Sequence, residues 1–253
     1  MELTVPRAMI SYEIRNSEFT HSDKPILFLH SALSTRKEFD KISAYYKNRR
    51  QILLDFPSHG ESTTIHSRLT TRILAESVRD LLMKLEIYSV DIIGYSMGGY
   101  VALELARIAP GMAHSIVSHA MKFYWTEDAI ADSLALMDAG KIQSRSQKCF
   151  EILSSMHSPN GLEKTIEANR SIVESFRKEQ LTEEDLIRIQ APVLLSVGDR
   201  DDLITLREIT KLYESQEKTK TFLAIHPNSP HPISKLDMIS FTHAIREFWQ
   251  TLD

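Results

Sequence analysis

Cysteine is almost absent from this chain of 253 residues, with Cys149 the only one. It has no internal disulfide partner and no neighbour at metal-ligand spacing, so a small buried hydrophobe is its expected role. Glycine is scarce, at eight residues, and an excess of positive charge is missing: 30 Lys and Arg against 34 Asp and Glu leave a formal charge of −4. That balance excludes the strongly basic face on which nucleic-acid binding depends. No apolar run approaches the ~18 residues of a membrane helix. The opening Met1 to Arg7 carries no charged segment followed by an apolar core, as a secretory signal would. The expectation is a soluble cytoplasmic protein with no membrane or nucleic-acid partner. Repeats, low-complexity tracts and long like-charge runs are missing too, which removes solenoids and interaction tails.

What is present is globular composition, 42% hydrophobic and 25% charged, enough for one or two domains with a buried core. Met9 to Ile14, Ile26 to Leu29 and Gln51 to Phe56 read as strands, with a polar, Lys-rich helical stretch between the last two. From Thr71 to Leu85 the apolar residues fall at 74, 78, 81, 82 and 85, a helical stripe, and Val90 to Ile93 follows as a strand. A helix from about Gly98 to Ile108 stops at Pro110-Gly111, and Ser115 to Ser118 is the next strand. Alternation of this kind predicts an α/β fold, a mainly parallel sheet with helices on both faces.

Between Ala120 and Gln190 strands cease. Apolar residues at helical spacing there (Ile130, Leu134, Met137; Ile142, Cys149, Leu153, Met156; Leu162, Ile166, Val173, Phe176) predict an insertion of three or four helices. Its 9 basic and 12 acidic side chains leave a charge of −3, the mark of a solvated outer face. The alternation then resumes: a buried strand over Ala191 to Val197, a helix near Thr205 to Tyr213, a strand over Thr221 to Ile225 and a last helix from about Leu236 to Leu252. Residues 1–120 and 191–253 therefore form the core, and 121–190 the insertion.

Three of the eight glycines fall in one hexapeptide, Gly94-Tyr95-Ser96-Met97-Gly98-Gly99, between a predicted strand and a predicted helix. A serine on so sharp a turn takes a strained backbone, and small residues two before and two after it avoid collision with neighbouring backbone. The turn lifts the hydroxyl above the sheet edge and leaves the amide of Met97 at a helix N-terminus, able to donate to a developing oxyanion.

On these residues the sequence resembles the α/β-hydrolase superfamily, over Ile10 to Ala120 and Ala191 to Trp249. Ile26-Leu27-Phe28-Leu29-His30-Ser31-Ala32 is similar to the strand and His-Gly turn that supply the second oxyanion donor, which implies the amide of Ala32; Ser31 stands where the family has glycine. Asp55-Phe56-Pro57-Ser58-His59-Gly60-Glu61-Ser62 resembles the segment that shapes the loop after the next strand. His30 and His59 are expected to serve in loop hydrogen bonding. The family's chain order, Ser then Asp or Glu then His, implies Asp201 as the acid, three residues after Gly198. Asp199 is expected to cap that turn and Asp202 to be solvated. Among His226, His231 and His243, which follow the last predicted strand, the resemblance implies His231, in a loop held by Pro230 and Pro232 just before the last helix. The insertion corresponds to the lid or cap that many members carry, with Tyr95, Phe123 and Trp125 as candidates for the substrate pocket; hinge packing is the other reading of the aromatics that lead into it.

The resemblance implies a serine hydrolase acting on a small carboxylic ester, lactone or thioester through an acyl-enzyme on Ser96, with no metal or organic cofactor. Aspartate occupies the elbow in the fold's epoxide hydrolases and dehalogenases, and asparagine precedes the serine in its carbon–carbon bond hydrolases; Ser96 and Tyr95 depart from each. Two alternatives stand beside the hydrolase: a cofactor-free lyase, such as a hydroxynitrile lyase or a menaquinone-pathway eliminase, and a non-catalytic receptor for a small ligand. Oligomeric state is not legible.

Overall fold

Parallel strands covered on both faces read as unbroken apolar runs, and the central strands of this protein do so. The computed structural model describes residues 1–19, 24–216 and 220–252. Among them, nine strands form one sheet: β1 (Glu2–Val5), β2 (Ala8–Arg15), β3 (Ile26–Leu29), β4 (Gln51–Leu54), β5 (Thr63–Thr64), β6 (Val90–Tyr95), β7 (Ala113–His119), β8 (Val193–Gly198) and β9 (Thr221–His226). Every residue of β3, β4, β6 and β8 is buried.

The lateral order is β1-β2-β4-β3-β6-β7-β8-β9, with β5 beside β2. The pairs from β4 to β9 are parallel, and those made by β2 are antiparallel. The chain adds β4 on one side of β3 and then returns to add β6 on the other. Right-handed crossovers therefore carry the connecting helices to opposite faces. Accordingly, the short helix Asp40–Ser43 packs with the last helix, Met238–Gln250, while Thr71–Lys84 packs with Met97–Ile108. In Thr71–Lys84 the predicted stripe is the buried one, through Leu74, Val78, Leu81 and Leu82. β5, of two residues, is too short for periodicity to register, and β1, an edge strand in which Val5 alone is buried, carries no apolar run.

Five helices, rather than three or four, separate β7 from β8: Glu127–Leu136, Ala139–Arg145, Gln147–Met156, Leu162–Ser175 and Glu183–Arg188. The surplus has a local cause. Ser146 closes one helix and opens the next by accepting a hydrogen bond from the Cys149 amide, so a stretch that periodicity joins becomes two helices. Neither of those two buries any residue, and Cys149 is exposed rather than buried as expected. The rest of its predicted stripe, Ile142, Leu153 and Met156, is half-buried. Among the described residues, no helix is long and apolar enough to cross a membrane.

Candidate active site

Where strand order reverses, the loops leaving the carboxyl ends of adjacent parallel strands diverge and open a crevice. Each candidate residue follows such an end: Ala32 after β3, Ser96 after β6, Asp201 after β8 and His231 after β9.

Ser96 joins β6 directly to helix Met97–Ile108 with φ 51° and ψ −116°, a conformation that costs of order 1–3 kcal/mol in a residue with a side chain. Glycine is required around it by contact. A Cβ on Gly94 would lie 2.5 Å from the carbonyl oxygen of Gly98, and one on Gly98 would overlap that of Leu29. The Ser96 amide donates to the His119 carbonyl at 2.8 Å, which pins the turn to β7. Met97 begins the helix, so its amide is one of the donors that a helix N-terminus leaves free.

The loop after β3 is built on buried polar contacts. His30 accepts from the Phe56 amide through Nε2 (2.9 Å) and donates from Nδ1 to the Ser31 carbonyl (2.8 Å), the loop-bonding role expected of it. Ser31 donates to Glu38 twice, from its amide and its hydroxyl, both at 2.8 Å. Burial pushes the Glu38 carboxyl up, against the lowering effect of those two bonds. Leu33 takes φ 54°. A carboxylate clamp thus stands where the family's glycine gives freedom. Asp55 is likewise buried and holds the next loop, accepting from the amides of Arg36 (2.8 Å) and Glu61 (3.1 Å) and pairing with the Arg36 side chain.

His231 Nδ1 lies 2.9 and 3.1 Å from the two oxygens of Asp201. Asp201 also accepts from the amides of Ile204 (2.7 Å) and Leu203 (2.9 Å). Burial by itself raises the Asp201 carboxyl, but His231 and these amides outweigh it and hold the group below the usual carboxylate value. Asp199 instead accepts from the Ser229 amide at 3.3 Å, tying the turn to the histidine loop, and Asp202 is exposed. His226 is buried and bonded to Ser196 at 2.8 Å, whose hydroxyl also meets His119 at 2.9 Å, so it is committed elsewhere. Burial, helped by His226, pushes His119 down to about 3. His243 lies exposed on the last helix, 4.0 Å from Glu247.

Ser31, Ala32, Ser96, Met97 and His231 all line one cavity of about 440 Å³. Tyr95 and Trp125 line it too, as predicted. Trp125 stacks flat on Phe176, with ring centroids 4.2 Å apart and planes 12° from parallel. Phe123 does not. The amides of Phe123 and Tyr124 donate to Glu208 (3.0 and 3.2 Å), and the Phe123 ring is buried against Tyr100 and Tyr124, so hinge packing is its role. Tyr95, besides lining the cavity, donates from its hydroxyl to the His231 carbonyl at 2.7 Å. Two contributors escaped the sequence reading: Glu38 grips Ser31, and Asn169 reaches the cavity from helix Leu162–Ser175. Only Asn169 carried a signal, as a polar residue three before Ile172 and one turn after Ile166 in the apolar spacing of that helix. Among the described residues, no group of three or more His, Cys, Asp or Glu is gathered as metal ligands.

A parallel sheet with a strand, strained serine and helix at its switch point defines the α/β-hydrolase class. A family model described as the alpha/beta hydrolase fold matches residues 24–227, and the chain belongs to that family. The crystal structure of an α/β-hydrolase enzyme from a Medee basin deep-sea metagenome library is similar, with a TM-score of 0.83 at 20% identity, over 99% of this chain and 97% of that one. The enol-lactonase from Burkholderia xenovorans aligns with a TM-score of 0.77 at 17% identity, over 99% and 100% of the two chains. A curated relative, the dihydrolipoyllysine-residue acetyltransferase component of the acetoin cleaving system of Pseudomonas putida, is 43% identical over 68 residues, which is 27% of this chain and 18% of that protein. The chain thus matches less than a fifth of that relative's length.

Proposed function

We propose that this protein is a serine hydrolase that cleaves a small carboxylic ester, lactone or thioester through an acyl-enzyme on Ser96. The observation that carries the reading is the convergence of a strained serine (φ 51°) and a histidine held 2.9 Å from a buried carboxylate on the wall of one cavity. In this reading His231 takes the Ser96 proton as the hydroxyl attacks the carbonyl carbon, and it returns that proton to the leaving alcohol or thiol. Water then repeats the sequence on the acyl-enzyme. Asp201 holds Nδ1 protonated, which leaves Nε2 as the base, and it stabilises the imidazolium that forms. The amides of Ala32 and Met97 receive the oxyanion, each such donor typically contributing ~3 kcal/mol. Tyr95 fixes the His231 loop through its carbonyl, and the Glu38 grip on Ser31 sets the direction of the neighbouring Ala32 amide. Residues 121–190 act as a cap over a core of 1–120 and 191–253, closing the substrate between Trp125 and the elbow.

A fluorophosphonate probe tests this directly. Peptide mapping is expected to find the adduct on Ser96, and Ser96→Ala to lose both labelling and turnover of p-nitrophenyl esters while unfolding at an unchanged temperature. An adduct on another residue, or full turnover in the alanine variant, overturns the reading.

A further inference from the structure

Helix Leu162–Ser175 turns Asn169, Ile172 and Val173 toward the cavity, with Phe176 just past its end; the spacing i, i+3, i+4, i+7 is one helical face. Asn169 is the polar residue on that face, and it is 1% exposed. Its amide has a defined orientation. Nδ2 donates to the Thr165 carbonyl at 2.8 Å and lies 2.9 Å from His59 Nε2. His59 Nδ1 lies 3.0 Å from the Pro57 carbonyl, which only accepts, so Nδ1 carries the proton and Nε2 is an acceptor. Burial, which pushes His59 down to about 4, keeps the ring neutral at pH 7. Both groups facing Nδ2 are therefore acceptors. Reversal of the amide would set Oδ1 against two lone pairs.

In this orientation Asn169 Oδ1 is buried and, among the described residues, has no protein partner. A second such atom belongs to a residue of the same cavity wall: the indole Nε1 of Trp125, a donor, is also buried and unpartnered. The cap side of the wall is mostly apolar, from Leu136, Met137, Ile172 and Val173, with Asp132 and Ser133 one turn before the first two. A plain alkyl acyl group would leave both buried polar atoms without a partner. A group that both donates and accepts satisfies them.

We propose that Asn169 is a specificity-determining residue whose Oδ1 accepts a hydrogen bond from the substrate, and that the preferred substrates carry a hydroxyl or secondary amide away from the scissile bond. This rests on the hydrolase reading of Ser96 for the word substrate, but the site is testable without turnover. Trp125 Nε1 donates to the same group, or to the carbonyl beside it. The orientation of Asn169, rather than its presence, sets the preference, because a reversed amide would select an acceptor in place of a donor.

Binding to the Ser96→Ala protein, measured by calorimetry, separates recognition from chemistry. The ligands are ethyl butanoate, its 2-, 3- and 4-hydroxy forms, the matching methoxy forms, and the ethyl ester of N-acetylglycine. At least one hydroxy or N-acetyl ester is expected to bind about tenfold or more tightly than both ethyl butanoate and its methoxy partner, which accepts but cannot donate. Adding Asn169→Leu is expected to bring that ratio close to one. The ligand series needs no change at Asn169, so it decides the matter even where the leucine variant fails to fold. Equal or undetectable binding across the series overturns the proposal, as does a ratio that survives Asn169→Leu. Turnover of the same esters by the unaltered protein reads the reaction separately. A preserved binding ratio without any turnover rejects the hydrolase and keeps the site, whereas turnover without the ratio rejects the site and keeps the hydrolase.

Discussion

The loops on the carboxyl edge of the sheet and the helices between β7 and β8 are held by different means. In the loops, buried charges fix positions: Glu38 takes both donors of Ser31, Asp55 takes two amides and an arginine, and Asp201 takes two amides and His231. The helices rely on apolar faces, and they do so unequally. Helix Leu162–Ser175 buries Leu162, Ile166, Ile172 and Val173, and the same segment is fastened to the core by polar bonds, Thr165 to the Ser58 carbonyl (2.9 Å) and Asn160 to those of Gly60 (3.0 Å) and Ser62 (2.9 Å). Helices Ala139–Arg145 and Gln147–Met156 bury nothing. Tight angular control therefore resides in the loops, and the insertion grades from a wall continuous with the core to an outer layer whose faces meet solvent.

The largest effect expected on that contrast is chemical and falls in the loops. Asp201→Asn preserves volume but gives the imidazole a donor where it needs an acceptor, so acylation should fall by about 10⁴, as the triad logic implies. Asp202→Asn should change little, and Asp199→Asn mainly stability. Single-turnover rates at matched folded fraction make the comparison, and a greater loss at 199 than at 201 would move the acid upstream.

Next in size is the difference within the insertion, read by one substitution made twice. Ile172 is 2% exposed and Ile152 is 50% exposed. Ile172→Ala should cost about 2–5 kcal/mol of unfolding free energy, the usual range for a buried aliphatic truncation, and Ile152→Ala less than about 0.5 kcal/mol. Urea unfolding of the two variants checks this; similar losses would mean that the outer helices are covered in solution.

Acid should weaken the region beneath the loops. His59 and His119 are buried with values depressed to about 4 and about 3, so between there and ~6.5 the unfolded chain binds protons that the folded one refuses. Stability from these residues is complete above ~6.5 and is lost as pH falls, by about 2 kcal/mol each between pH 7 and 5. Glu38 and Asp55, raised by burial, act in the opposite sense, losing stability as pH rises through their values. The net fall in urea midpoint from pH 7 to 5 measures the balance, and a midpoint unchanged or raised would contradict the expectation that the buried neutral histidines outweigh the two carboxyls.

The smallest effect belongs to Cys149. Exposed on the outer layer, it should react with a thiol reagent in the folded protein without prior unfolding, with no change in melting temperature. Protection until unfolding would show the outer helices packed against something.

Much of this was legible in the linear order. The stripe at 74, 78, 81 and 82 is the buried face of its helix, and Gly94 to Gly99 forms the strand, turn and helix that its spacing implies. These follow from interactions within a few residues, where the steric limits at Ser96 and the collision of a Gly94 side chain with the Gly98 carbonyl act locally. The Cys149, Leu153, Met156 stripe is as regular as that of Ile166, Val173 and Phe176, yet a stripe states only that a helix has a face. Covering it is a property of another part of the chain.

The amino-acid sequence alone therefore determined the alternation of strand and helix, the class of fold and the place of the serine turn, because periodicity and glycine spacing are written in the linear order. Only the tertiary structure decided that Trp125 lines the cavity while Phe123 packs at the hinge, that Cys149 is bare, and which way the amide of Asn169 points. Each of these depends on groups brought together across long stretches of chain, such as His59 on Asn169, and no local preference of either residue specifies the pairing.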